Sequence, residues 1–115
     1  MTDRPPLPPP DSPEWTKSAV TKRCRHGEFA YLPQDAMIGR ALDLYGEVCE
    51  PEARLFRTVV APGAVVVEAG ANIGAFTVVI AEAAGVAGRV IAYEPQAPLF
   101  ELLRWNIGRN TPGNV

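Results

Sequence analysis

No apolar stretch of this 115-residue chain reaches the ~18 to 20 residues that a membrane span needs, and no positively charged start leads into an apolar run. No membrane association is expected, and the cytoplasm is the default location. An excess of charge of one sign is also missing. The balance of 11 Lys and Arg against 13 Asp and Glu leaves a net charge of -2 and no electrostatic case for nucleic acid. The one basic cluster, Lys17, Lys22, Arg23, Arg25 and His26, reads as a solvated segment. Histidine occurs once, and the two cysteines, Cys24 and Cys49, form no C-x-x-C pair. They offer neither a disulfide framework nor a zinc site, and no metal is expected. Proline is not scarce, and Pro5, Pro6, Pro8, Pro9, Pro10 and Pro13 crowd the start, where an extended tail over residues 1–13 is expected.

What is present is a strand that runs into an acid and then into a glycine-containing turn. Val65-Val66-Val67-Glu68 is apolar until its last residue, as a strand covered on both faces of a parallel sheet would be. Ala69-Gly70-Ala71-Asn72-Ile73-Gly74 follows, and a helical pattern opens near Ile73. In such a unit glycine serves where the backbone takes positive φ or approaches a ligand, and the helix start offers N–H groups without internal partners. The turn departs from the G-x-G-x-x-G dinucleotide fingerprint, with Asn72 at the second glycine position and Ala75 at the third. Glu68 places a carboxylate two residues before the first glycine, where it would repel a pyrophosphate and attract a cation. S-adenosylmethionine, with its sulfonium and amino group, is a ligand of that kind and the expected cofactor. An NAD-type Rossmann oxidoreductase is the alternative that Glu68 and Asn72 both disfavour.

Arg89-Val90-Ile91-Ala92-Tyr93-Glu94-Pro95 is a second apolar run ending in an acid, after a helix-length interval that Gly85 and Gly88 close. In a right-handed βαβ unit the two parallel strands are neighbours, so Glu94 reaches the same crevice as the turn. It is placed to accept hydrogen bonds from ribose hydroxyls.

Four segments together resemble the start of the FkbM-type methyltransferases: Cys24-Arg25-His26-Gly27, Ile38-Gly39-Arg40-Ala41-Leu42-Asp43-Leu44-Tyr45-Gly46-Glu47, Glu68-Ala69-Gly70-Ala71-Asn72-Ile73-Gly74 and Tyr93-Glu94-Pro95-Gln96. The resemblance covers roughly residues 22–115. It implies an α/β, Rossmann-like class I S-adenosylmethionine-dependent methyltransferase fold, with methyl transfer to an oxygen of a small molecule or sugar. It also implies a cofactor site of Glu68, Gly70, Ala71, Asn72, Gly74 and Glu94, and, less directly, an approach of Tyr45-Gly46-Glu47 to the cofactor. Glu68 stands where the family more often has Asp, and Val48-Cys49 replaces a Trp-containing pair. Transfer from a sulfonium is an in-line displacement that needs positioning above all, and no catalytic residue is assigned.

On this reading residues 1–13 are the tail, 14–62 an N-terminal strand and helices packed on the core, and 63–115 the first half of the cofactor domain. The sheet is expected to be truncated after its second parallel strand and the following helix, with a third strand beginning at Asn114-Val115. Such a fragment is expected to lack the acceptor site and to be inactive alone. A non-catalytic binding or interaction module is the second alternative, and the oligomeric state is not legible. Phe29 to Leu32 alternate as a short edge strand ended by Pro33, and Asp35 caps a helix with Ile38, Ala41, Leu42 and Tyr45 on one face. A second helix opens at Pro51, with Leu55, Phe56 and Val59 inward. The helix from Ile73 turns Phe76, Thr77, Ile80, Ala81 and Ala84 to the sheet and leaves Val78 and Val79 apolar on its far side. A last helix over 98–110 buries Leu99, Leu102, Leu103 and Ile107, with Trp105 as packing.

Overall fold

The computed structural model describes residues 18–115; the tail expected over 1–13, the first residues of the 14–62 segment and Lys17 lie outside them. Strands β1 (Val20–Cys24) and β2 (Gly27–Tyr31) form an antiparallel hairpin in which Val20 pairs with Tyr31 and Cys24 with Gly27. Helices α1 (Ile38–Tyr45) and α2 (Glu50–Val59) follow, then β3 (Val65–Ala69), α3 (Ala75–Ala84), β4 (Arg89–Tyr93) and α4 (Ala97–Asn110). Strands β3 and β4 are parallel neighbours, in register from Val65 opposite Arg89 to Ala69 opposite Tyr93. The architecture is mixed α/β, with a short parallel sheet and helices.

Local chemistry explains most boundaries. The N-cap of α1 is Met37 rather than Asp35, but Asp35 Oδ2 still accepts a 2.7 Å hydrogen bond from Gly39 N–H in the first turn, and Gly46 ends that helix at φ 68°. Pro51 sits in the first turn of α2 beside Glu50 and Glu52, which suit the positive end of the helix dipole. Helix α3 begins at Ala75 rather than Ile73. Asn72 at φ 54° and Gly74 at φ 90° are left-handed, so the right-handed helix cannot include them.

Strand β1 was not anticipated. Its Lys22 and Arg23 read as a solvated basic run, whereas Lys22 Nζ donates to the carbonyls of Leu42 and Asp43 near the end of α1, where a cation is favoured. Arg25 pairs with Glu47 at 2.7 Å. Two other expectations fail. Leu55 and Val59 are exposed at 56% and 65%, and it is Ala53 and Phe56 that carry the inner face of α2. Tyr45, expected on the buried face of α1, is 75% exposed.

The core has two parts. One gathers Phe29, Ala30, Tyr31, Leu42, Ile73, Val78 and Leu102 from the hairpin, α1, the turn before α3, α3 and α4. The other joins Ile80, Ala81 and Val90 under Phe56, Val60, Val66 and Phe76. Helix α3 is therefore buried on both sides: the N-terminal elements cover Val78, which the sequence left without a partner. Asn114 O accepts from Val90 N–H at 2.8 Å, so the chain comes alongside β4 at the place where a third strand was expected.

The hairpin is tied to α4 by two asparagines one helical turn apart. Asn106 Oδ1 accepts from Ala30 N–H at 2.7 Å and its Nδ2 donates to Ala30 O at 3.0 Å. Asn110 does the same for Glu28, at 2.9 Å in each direction. A side-chain amide carries the same donor and acceptor as a peptide unit, so α4 satisfies the outer edge of β2 as a further strand would. Arg109 adds bonds of 3.0 and 2.7 Å to Glu28 Oε2.

Candidate functional site

The carboxyl ends of β3 and β4 meet at the turn of residues 70–74, and every backbone N–H of this turn is engaged. Gly70 N–H and Ala71 N–H both donate to Tyr93 O at 2.9 Å. Asn72 N–H donates to Glu94 Oε2 at 2.8 Å, Ile73 N–H to Asn72 Oδ1 at 2.8 Å, and Gly74 N–H to Ala71 O at 3.0 Å. A pyrophosphate is held by such N–H groups when they are unpaired. Here they are consumed, which weighs against a dinucleotide cradle at this turn.

Of the six residues expected to form a cofactor site, Gly70, Ala71, Asn72 and Glu94 come together as one hydrogen-bonded unit. Glu94 bridges it: Oε2 takes the Asn72 amide, and Oε1 takes Gln96 N–H at 2.9 Å at the start of α4. The bridge fixes the carboxylate between the two strand ends. Each carboxylate oxygen has two acceptor positions, so one on each is left for a ligand hydroxyl. Gly70, at φ 78°, has nothing within 4 Å of where a side chain would begin, and its backbone is open to a close-lying ligand.

Gly74 and Glu68 also meet partners within the protein. A side chain at Gly74 would start 2.8 Å from Leu103 Cδ1, so this glycine lets α4 pack against the turn. The carboxylate of Glu68 accepts from Thr77 Oγ1 at 2.6 Å, across the turn from strand to helix. Burial raises its pKa above the usual 4.5, and the Thr77 hydroxyl offsets this only in part. A cation placed beside Glu68 would relieve that penalty.

The sequence reading missed the support behind the turn. Asn106, fully buried, donates its second Nδ2 hydrogen to Ile73 O at 2.7 Å, joining turn, hairpin and α4 at one side chain. An asparagine four residues before Asn110 on the inner face of a helix was the available sign. His26 lies at the hairpin bend instead, where Arg57 Nη2 donates to Nδ1 at 3.1 Å and Nε2 stands 2.8 Å from Glu50 Oε2. Arginine only donates, so Nδ1 accepts and Nε2–H donates to Glu50. Burial raises the Glu50 pKa, but the bond from His26 and the charges of Arg25 and Arg57 hold it below the usual value. Both cysteines are free, Cys24 buried and Cys49 exposed, and among the described residues no group of His, Cys, Asp and Glu could hold a metal ion. No helix among them is long and apolar enough to cross a membrane.

No family profile matches this chain. No solved structure matches it either. Over 54 residues, 47% of its length, the chain is 50% identical to the AMB antimetabolite synthetase AmbE of Pseudomonas aeruginosa. That stretch is 2% of AmbE, so the chain spans a very small part of the relative it matches. The match corrects the functional expectation drawn from the sequence. A relative named as a synthetase gives no support to an FkbM-type methyltransferase, and methylation of a small-molecule or sugar oxygen is withdrawn as the function. The similarity is to one part of a synthetase.

Proposed function

We propose that this chain is a Rossmann-like ligand-binding unit of a synthetase-type enzyme, holding a ribose-bearing ligand at the carboxyl ends of β3 and β4. The observation that carries the reading is the Glu94 carboxylate, fixed by two backbone N–H groups with an acceptor position free on each oxygen. Adjacent ribose hydroxyls match such a carboxylate, as acids at the end of a second parallel strand do in nucleotide-binding α/β folds. Gly70 leaves its side of the crevice open, and the engaged turn amides favour a nucleoside over a pyrophosphate ligand. Residues 63–115 form the binding unit, and 18–62 pack on it. Glu68, Gly70, Ala71, Asn72 and Glu94 line the crevice, and Gly74 shapes it through α4. The similarity to AmbE supports a place within a larger enzyme, without assigning a reaction to this part.

Changing the ligand instead of the protein tests this reading, because Glu94 also holds the turn. Calorimetric titration with adenosine and with 2′,3′-dideoxyadenosine should give weaker binding for the dideoxy compound. Hydrogen bonds to a charged group contribute about 1.5 to 3 kcal/mol, which is roughly one to two decades in affinity. Titration with S-adenosylmethionine and NAD in parallel compares a cationic nucleoside with a pyrophosphate. Equal affinity for the two adenosines, or no binding of either, overturns the ribose role.

A further inference from the structure

The basic residues of the hairpin bend belong to a charged cluster that neither the core nor the ligand crevice uses. Arg25 and His26 form the bend between β1 and β2, Glu47 lies in the loop before α2, Glu50 and Arg57 lie in α2, and Glu82 lies in α3. Glu50 is at the centre: His26 Nε2 stands 2.8 Å from its Oε2, Arg25 Nε 3.4 Å from the same oxygen, and Arg57 Nη1 3.6 Å from its Oε1. Arg25 also holds Glu47 at 2.7 Å. The side chains of His26 and Glu50 are only 15% and 13% exposed, so their contact is made largely out of water. The neutral imidazole is fixed in one tautomer, since Nδ1 accepts from Arg57 Nη2 at 3.1 Å while Nε2–H donates to Glu50. The same guanidinium nitrogen has a second partner within reach, Glu82 Oε2 at 3.5 Å. Arg57 Nη2 therefore stands between an imidazole and a carboxylate.

Protonation decides which of the two it keeps. Imidazole is the side chain whose charge ordinarily changes between about pH 5 and pH 8. With a proton on Nδ1 the ring has no acceptor left, and one N–H faces another on a second cation. Glu50 retains the ring, because its bond from Nε2–H becomes one between opposite charges. The Glu50 carboxylate stays ionised over that range: burial raises its pKa, but His26, Arg25 and Arg57 hold it below the ordinary value. Arg57 is the member that can move, with a side chain 36% exposed beside a Glu82 that is 70% exposed. Apart from the Cys49 thiol, the remaining lining of the cleft that His26, Glu47 and Glu50 border, with Phe29, Leu42 and Phe76, is neither charged nor titratable. We propose that His26 is a pH-operated latch: neutral, it holds Arg57 of α2 to the hairpin bend, and protonated, it passes Arg57 to Glu82 of α3 while keeping Glu50. The exchange leaves the core in place and changes whether α2 is tied to the hairpin or to α3, against which Phe56 already packs edge-on to Phe76 at 5.4 Å.

Double-variant cycles on the 115-residue chain separate the two contacts, using urea unfolding at about pH 8 and about pH 5.5, both above the ordinary carboxylate range. From His26→Ala, Arg57→Ala and their double variant, the first pair should show a favourable coupling of about threefold in the unfolding constant at the higher pH, lost or reversed at the lower. Arg57→Ala with Glu82→Ala should show the opposite trend, a coupling that rises to about twofold or threefold on acidification. In a His26→Gln background, where the side chain takes up no proton, the Arg57–Glu82 coupling should be equal at the two pH values. Nuclear magnetic resonance of the wild type gives a second reading without unfolding. The ring nitrogens of His26 should show the Nε2–H tautomer at about pH 8. The Arg57 Nε–H signal should follow the His26 titration and stay still in His26→Gln. If a variant loses cooperative unfolding, the resonance measurements decide alone. An Nδ1–H tautomer, an Arg57 signal indifferent to His26, a His26–Arg57 coupling equal at both pH values, or a pH-dependent Arg57–Glu82 coupling that survives His26→Gln each overturns the proposal.

Discussion

The hairpin and the parallel sheet are both two-stranded, yet they solve the problem of a small sheet in opposite ways. The hairpin has Phe29, Ala30 and Tyr31 buried in succession, with side chains taken up on both faces and the outer edge of β2 satisfied by Asn106 and Asn110. Among the described residues the sheet of β3 and β4 buries one face and leaves the other exposed, with its turn and Glu94 at the carboxyl ends of the strands. A two-stranded sheet is marginal unless something packs against it, so the two halves differ in purpose. The closed half supplies order, and the open half supplies surface. Because Asn106 holds both Ala30 and Ile73, the closed half also sets the geometry of the open one.

The substitution with the largest expected effect is Asn106→Leu, which keeps volume but leaves Ala30 N–H, Ala30 O and Ile73 O buried without partners. We expect a loss of about 3 kcal/mol in urea unfolding. A loss below about 1 kcal/mol would mean that hydrophobic packing, and not the amide, holds the halves together. Next is Gly74→Ala, where a left-handed backbone and a contact with Leu103 combine. About 1 to 3 kcal/mol should be lost by the same measurement, and ligand affinity should fall with it if the packing of α4 shapes the crevice.

Glu68→Gln tests the open half through pH. The Glu68 pKa is raised in the folded state, so its contribution to stability is complete below the ordinary value of 4.5 and is lost as pH rises through the raised one. Gln keeps an acceptor for Thr77 without a charge to bury. Relative to wild type, the variant should therefore gain stability between pH 4 and pH 7. A difference that stays constant with pH would show that burial does not act on this carboxyl. The smallest effect belongs to Leu55→Gln on the exposed face of α2, expected to change stability by no more than about 0.5 kcal/mol. A larger loss would place an unrecognised contact on that helix.

Features set by local chemistry were legible in the sequence. The turn at Gly70 to Gly74, the strand ending at Tyr93, the bond of Asp35 to the first turn of α1 and the proline in α2 each rest on a residue whose backbone or side-chain preference acts within a few positions. Features set by long-range pairing were not. Nothing local to Lys22 and Arg23 announces a strand, because the partner that makes it one, β2, acts through backbone pairing. Leu55 and Val59 have the helical spacing of a buried face, but the second core part receives only Phe56 and Val60 from this stretch. At the candidate site the sequence pointed to the turn and Glu94 but not to the contacts that hold them, because Leu103 beside Gly74 and Thr77 beside Glu68 are brought there by the packing of α4 and α3. The functional assignment rested on resemblance, and the similarity to a synthetase corrected it.

The paired asparagines of α4 also have a consequence for motion. The amide protons of Glu28 and Ala30 are held by side chains of a helix 76 to 82 residues away in sequence, so fraying of the hairpin alone does not release them. They are freed only when α4 swings out, and that same movement releases Ile73 O and loosens the turn. Hydrogen–deuterium exchange should therefore report one opening event for Glu28 and Ala30, slower than that of residues on the outer strand β1. A ligand seated on the turn should slow exchange in a hairpin it never touches.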